Sequence, residues 1–535
     1  MCIVVDMIRI YSFITLGLCM LLSSCNGINK KSDSQEEVSD TIVMEDTIPT
    51  PIIYPDTILA SALDNINFTI DTMLHHIDGT ISDYSDLYAS AQGIFTFRGG
   101  PARTPNFAGR ITGTPTKVTQ AWMFETDYDT RQTDFGMWGG GTGWTGQPLY
   151  INWNNEQIEH IRNNAAGYIT DEFAAEEILV GSLCGKVHFI NLTTGKASRR
   201  PYEIGNPIKG TMSFDPTMNG NLYVGQGVPA ERPFGAMVIN LYNHTTVSFQ
   251  AEDAKAWRRW GAYDSSPIRV GDFMFRLGEN GTIYKIYCKG DSVLLHSTLR
   301  YRINGAAPGI ESSIAISRNY GFFSDNHGNV IAINLNTLQP VWRYKNADDS
   351  DASVVVEEID GIPYVYTGCE IDKQGDRGHS HFVKLNGLTG ELIWSATIAG
   401  NKKPMGGKTF DGGMFATPLI GEGDCEGMIL SNFSIQESGN MGALIAFNKE
   451  DGQEIYRTKT HHYSWSSPIA MFNENNEMYI ITGDTNGYIY LIKGKTGEVI
   501  YKEDFANNFE SSPIAIGNQI VVGSRGREIY KFIVE

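Results

Sequence analysis

The sequence predicts an all-β fold: an eight-bladed propeller of four-stranded antiparallel blades, its ring closed by a strand from the N-terminal part of the chain. Three observations point there. Residues 466–503 read as one complete four-stranded unit, the opening of that unit recurs eight times, and the final copy is one strand short.

The unit at 466–503 begins with Ser466-Ser467-Pro468 and an apolar run through Met471. It continues as Met478-Tyr479-Ile480-Ile481, turns at Asn486-Gly487, and runs on through Tyr488 to Ile492. A second turn, Lys495-Thr496-Gly497, leads into Val499-Ile500-Tyr501. β-Branched and aromatic runs separated by Asn-Gly and Thr-Gly turns are the pattern of an antiparallel meander. A lone sheet of four strands leaves a face unburied, so the pattern predicts neighbours of its own kind.

Those neighbours are present. Openings recur at Gly146-Gln-Pro148, Ser213-Phe-Asp-Pro216, Asp264-Ser-Ser-Pro267, Glu311-Ser-Ser-Ile314, Asp351-Ala-Ser-Val354, Phe415-Ala-Thr-Pro418, Ser466-Ser-Pro468 and Glu510-Ser-Ser-Pro513. Their spacing of about 40 to 70 residues suits propeller blades with insertions. Turn motifs recur too, as Leu192-Thr-Thr-Gly195, Leu388-Thr-Gly390, Glu450-Asp-Gly452 and Lys495-Thr-Gly497. After Glu510 only three strands fit before the chain ends. The early strand 119–126 has no unit ahead of it and carries Trp122 where other blades place Trp or Tyr. It is expected to complete the last blade, because radial closure leaves only short, protected edges.

The remaining segments divide at 25, 56 and 96. Residues 8–22 are mostly apolar, too short to span a bilayer, and end in Leu22-Ser-Ser-Cys25, the pattern of a secretory signal with a lipidation site at Cys25. Residues 26–56 read as a flexible acidic tether and 57–96 as a lead-in of undetermined structure. With such a signal segment, the rest of the chain is expected to be extracytoplasmic. Asn26 rather than Asp after Cys25 agrees with outer-membrane sorting, as the resemblance to lipoproteins implies, with the periplasmic face expected. Four cysteines remain in the body, Cys184, Cys288, Cys369 and Cys425, each in a different repeat and without a CxxC. They read as unpaired thiols. A formal charge of -19 argues against nucleic acid as a partner.

The recurring Ser-Ser-Pro, Thr-Gly-x-x-x-Trp pattern and the lead-in Phe97-Arg98-Gly99 to Arg103-Thr104 resemble the pyrroloquinoline-quinone-like propeller repeat over residues 97–535. That resemblance implies the fold and leaves three functions open. In quinoprotein dehydrogenases it implies a quinone beside Ca²⁺ in the central channel, with an adjacent cysteine pair, a Glu/Asn/Asp cluster and often a haem site. This sequence has neither Cys-Cys nor CxxCH, and isolated acids at equivalent repeat positions do not make a calcium site, so no cofactor, metal ligand or catalytic residue is expected. A second reading is a scaffold for protein partners, as the lipid anchor, tether and bare propeller resemble the lipoproteins of the outer-membrane β-barrel assembly machinery. A third is a propeller that binds a glycan or small molecule in its funnel.

Residues just ahead of each opening strand should gather at one mouth of the channel. Trp144, Trp260, Asp264, Glu311, Trp465 and Glu510 are the candidate ligand contacts there, with Asp351 and Phe415 beside them. Aromatic faces and carboxylates around a funnel suit a sugar or a polar peptide. Residues 127–146 form a Gly- and Trp-rich insertion on the same side, read as part of a binding face. Asp372-Lys-Gln-Gly-Asp-Arg-Gly-His-Ser-His381 reads as a solvated loop.

Overall fold

The computed structural model describes residues 53–56, 65–105, 107–144, 146–405, 408–436 and 439–535. The expected signal segment, Cys25 and most of the tether lie outside them. Among the described residues no helix is long and apolar enough to cross a membrane.

The described residues form eight four-stranded antiparallel blades, each opening on its innermost strand. Blade 1 opens at Leu149–Asn152, blade 2 at Ser213–Phe214, blade 3 at Ile268–Val270 and blade 4 at Ala315–Ser317. Blade 5 opens at Val355–Ile359, blade 6 at Leu419–Ile420, blade 7 at Ile469–Phe472 and blade 8 at Ile514–Ile516. Seven follow directly on the predicted openings; in blade 2 the inner strand lies within the predicted Ser213-Phe-Asp-Pro216, so the residues equivalent to the other motifs there are Lys209-Gly-Thr-Met212. Blade 7 is the regular unit at 466–503: Thr482 pairs with Tyr490, and Leu491 with Tyr501.

Ring closure is also as predicted. Val118–Glu125 pairs with Glu528–Val534, the last strand of the chain, with Phe124 opposite Ile529. Blade 8 then packs on blade 1, where Ile514, Val521 and Ile529 share a buried cluster with Ile178 and Val180.

The repeated Thr-Gly turns and Trp residues are two halves of an inter-blade contact. Trp122, on the outer strand of blade 8, donates Nε1–H to the Leu192 carbonyl of blade 1 (2.9 Å). Trp342 of blade 4 donates to Gly387 (2.8 Å), Trp394 of blade 5 to Lys449 (3.0 Å), and the Tyr456 hydroxyl of blade 6 to Gly494 (2.6 Å). Each ring lies over the turn glycine of the next blade. A Cβ on Gly195, Gly390, Gly452 or Gly497 would come within 2.3–2.7 Å of it, and all four glycines have φ between 71° and 73°. Only glycine meets both demands.

The Ser-Ser-Pro motif ties the inner strands together. The Ser266 amide donates to Ser313 Oγ (2.9 Å) and the Ser313 amide to Ser353 Oγ (2.8 Å). Thr417 donates in the same way to Ser467, and Ser467 to Ser512, each at 3.0 Å. In blade 1 the Gln147 amide donates to Thr211 Oγ1 (2.9 Å).

The lead-in is more structured than its sequence suggests. Ile66–Thr72 adds a fifth strand to the outer edge of blade 3, and Gly93–Ile94 pairs with the inner strand of blade 1. Contact with the body begins earlier still. Tyr54, inside the stretch read as tether, is buried on blade 4 and bonds to Asn319 and Ser317.

Residues 95–103 cross the ring's centre. Their carbonyls at Phe95, Pro101 and Ala102 accept from Phe214, Ile316 and Val356 of blades 2, 4 and 5. Arg98, fully buried with φ 59°, donates to the Pro468 carbonyl of blade 7 (2.7 Å) and that of Pro418 in blade 6 (3.0 Å). Arg103 donates to Ile314 (2.8 Å) and Ser266 (2.7 Å). Two buried guanidiniums thus bond to blade carbonyls, each such charged hydrogen bond contributing about 1.5–3 kcal/mol. The segment plugs the channel from within.

Candidate functional site

Because each blade starts on its inner strand, the loops entering the blades and those joining second to third strands lie on one side, the mouth. One position recurs there, four residues before each inner strand. Lys209, Asp264, Glu311, Asp351, Phe415, Trp465 and Glu510 occupy it in blades 2 to 8. In ring order this places a cation, an arc of three acids, an arc of two aromatics and a fourth acid around the channel.

Lys209 is the centre of the acidic arc. Its ammonium pairs with Asp264, lies 3.8 Å from Glu279 and 3.9 Å from Glu311, and sits 4.4 Å from the centroid of the Trp144 ring. Burial alone would lower its pKa, but the three carboxylates hold it above the usual lysine value. Burial raises Glu279, with Glu311 adding to it, and burial raises Glu311 as well.

The aromatic arc closes the other half. Trp465 lies 4.9 Å from Phe415, 5.4 Å from Tyr463 and 5.7 Å from Trp144, and is 7% exposed. Of the predicted contacts, Trp144, Asp264, Glu311 and Trp465 therefore meet in one packed cluster. Trp260 joins it at the rim by donating Nε1–H to Glu279 (2.7 Å), its ring packed on Phe135 and Phe234. Glu510 borders this cluster at the Trp144 backbone, 3.6 Å from Arg525 and accepting from Asn508 (3.0 Å); burial raises its pKa while Arg525 opposes the rise.

The cavity these residues enclose, lined by Phe97 of the plug as well, has a volume of about 20 Å³. That is room for roughly one water, against about 300 Å³ or more in a small-molecule pocket. A fused-ring quinone does not fit it.

Space exists further out on the same side. The long strands Arg377–Asn386 and Leu392–Asn401 of blade 5 and a hairpin, Lys403–Met405 with Lys408–Phe410, border a groove of about 910 Å³. Its lining mixes apolar surface, including Ala399 and Pro404, with the hydrogen-bonding side chains of Gln374, Arg377, His379, Asn401, Lys402 and Gln436. The segment 372–381 forms one bank. Its histidines belong to neither group of close acidic ligands, and Asp372 is paired with Lys402 (2.6 Å). The insertion at 127–146 is a short hairpin, Asp129–Thr133 with Gly136–Gly139. Cys184, Cys288, Cys369 and Cys425 are buried and unpaired.

Lys209, Glu279, Asp349 and Glu370 are site residues that sequence reading did not single out. Lys209 had a signal, since it stands at the same offset as the acids. Glu279, in a loop between second and third strands, and Glu370, just after a second strand, had none.

No family model and no curated protein sequence matches the chain. Among solved structures, a quinohemoprotein alcohol dehydrogenase from Comamonas testosteroni superposes with TM-score 0.56 at 11% identity, covering 83% of this chain and 80% of its own. A europium-containing methanol dehydrogenase gives TM-score 0.54 at 11% identity over 84% of this chain and 99% of that one. BamB from Moraxella catarrhalis aligns at 12% identity with TM-score 0.45, covering 78% and 98%. The chain has the quinoprotein-like propeller fold. At such identity the likeness extends to architecture alone, and the propeller's function rests on its own residues.

Proposed function

We propose that this propeller is an extracytoplasmic binding or scaffold protein, lipid-anchored through Cys25, that holds an extended segment of a partner protein on its mouth face. The reading rests on one contrast. The central funnel is filled by its own plug and aromatic arc down to about 20 Å³, whereas the groove beside blade 5 offers about 910 Å³ lined by hydrogen-bonding side chains. A groove of that size, mixing apolar surface with hydrogen-bonding side chains, suits a peptide segment, and recognition there needs no catalytic group. A sugar stacking inside the funnel would have to displace Trp465 from Phe415 and Trp144 first.

The test is site-specific photocrosslinking in the intact membrane-anchored protein. A photoreactive residue at His379 or Gln436 should give discrete protein adducts, and one at Thr193 or Thr496, on the opposite face, should not. Adducts confined to the opposite face, or none alongside saturable glycan binding lost in Trp260→Ala, would replace this reading with another.

A further inference from the structure

We propose that Asp349, Asp351 and Glu370 form a binding site for a hard divalent cation beside the channel. One carboxylate oxygen from each lies within 4.8 Å of the others. Asp349 Oδ1, Asp351 Oδ1 and Glu370 Oε1 are all buried and have no hydrogen-bond partner among the described residues. Glu370 itself is only 4% exposed. Orphaned carboxylate oxygens are costly in a protein interior, and three that converge repel one another as well.

The groups are held in place by backbone. The Glu370 amide donates to the Asp349 carbonyl (2.7 Å), and Glu370–Ile371 pairs with Gly412–Gly413. Gly413 has φ 90°, and a Cβ there would lie 2.8 Å from the Glu370 Cα, so this close approach depends on glycine. Backbone bonds thus hold Glu370 beside Asp349, which limits how far these two acids can separate.

The neighbouring trio shows what is missing. Asp264, Glu279 and Glu311 also converge, but Lys209 stands among them with its ammonium. At the second trio the ion pair among described residues is Lys373 with Asp349, at 3.7 Å and from a side chain 55% exposed; none reaches Asp351 or Glu370. A bound cation would supply there the charge that Lys209 supplies next door.

The ligand chemistry selects the class of ion. Three carboxylates with neither His nor Cys suit Ca²⁺, Mg²⁺ or Mn²⁺ rather than Zn²⁺ or Cu²⁺. Asp351 lines the channel cavity, whose space for about one water offers a further oxygen ligand. The inference is independent of the partner reading above.

The test is isothermal titration of Ca²⁺, with Mg²⁺ and Mn²⁺ in parallel, into chelator-stripped full-length mature protein. We expect one equivalent bound and a Tm that rises to a plateau with the ion. Glu370→Gln and Asp351→Asn should each abolish that increment while leaving the metal-free Tm equal or higher, because each removes a repelling charge. Asp264→Asn should retain binding. Failure of the wild-type protein to bind any of the three ions at millimolar concentration, or undiminished binding by the Asp351→Asn/Glu370→Gln double variant, would overturn the proposal. Should a variant not fold, anomalous scattering from Mn²⁺-soaked crystals of the wild-type protein decides the matter, and density away from Glu370 refutes it.

Discussion

The Lys209 ammonium lies 4.4 Å from the centroid of the Trp144 ring while paired with Asp264, so one side chain joins the aromatic and acidic halves of the channel mouth. Its charge is the counterweight to three buried carboxylates. Lys209→Met should therefore lower unfolding stability by about 3–5 kcal/mol, the usual cost of stranding one side of a buried ion pair. The double variant Lys209→Met/Asp264→Asn should recover part of the loss. Denaturant unfolding of both variants checks this, and a wild-type midpoint for Lys209→Met would show that Lys209 is not the counter-charge.

The inter-blade contact predicts a second set of losses. Trp342 is fully buried, covers Gly390 and donates to Gly387. Trp342→Ala should cost about 3–5 kcal/mol, as large-to-small core substitutions of aromatics do. Gly452→Ala should also destabilise, because the residue has φ 72° and its new Cβ would meet Trp394 at 2.7 Å. Thermal unfolding measures both.

Arg98 should matter more than any single blade residue, since it bonds to blades 6 and 7 from the centre of the ring. Arg98→Met removes charge-assisted bonds worth about 1.5–3 kcal/mol each and leaves two buried carbonyls without that donor. Proteolysis should then cut the lead-in first. Resistance equal to that of the wild-type protein would mean that the plug does not hold the inner strands.

Acid sensitivity follows from His188. Burial holds its imidazole near pKa 4, against 6.5 when free, with Phe124 at 5.7 Å and Cys184 at 3.6 Å. The folded state keeps it neutral while the unfolded chain protonates below about 6.5, so stability falls as pH drops from 6.5 toward 4. At pH 5 this amounts to roughly 2 kcal/mol. His188→Gln should show a correspondingly smaller loss between pH 7 and 5 in urea unfolding.

The ring was legible in the sequence because its contacts are periodic. Ser-Ser-Pro, the turn glycines and the outer Trp residues each serve the same inter-blade bond in several blades, and the missing last strand pointed to Trp122. The plug was not legible. Arg98 and Arg103 bind backbone carbonyls, which leave no mark in the partners' side chains. Asp264, Glu311 and Trp465 could be placed at the mouth from the sequence because they share one offset from their inner strands. Lys209 shares it too, but the opening of its blade reads in the sequence as Ser213-Phe-Asp-Pro216, which hides the equivalence. Glu279 and Glu370 come from elsewhere in their blades and reach the site only through tertiary packing.

We propose that ligand recognition sits on the mouth face, in the groove beside blade 5. The most direct measurement is hydrogen–deuterium exchange of the intact protein with and without the crosslinked partner segment. Slowed exchange is expected only at residues 374–379, 399–404 and around Gln436, with the turns at Thr193 and Thr496 unchanged. Protection at those turns with none in the groove would contradict it.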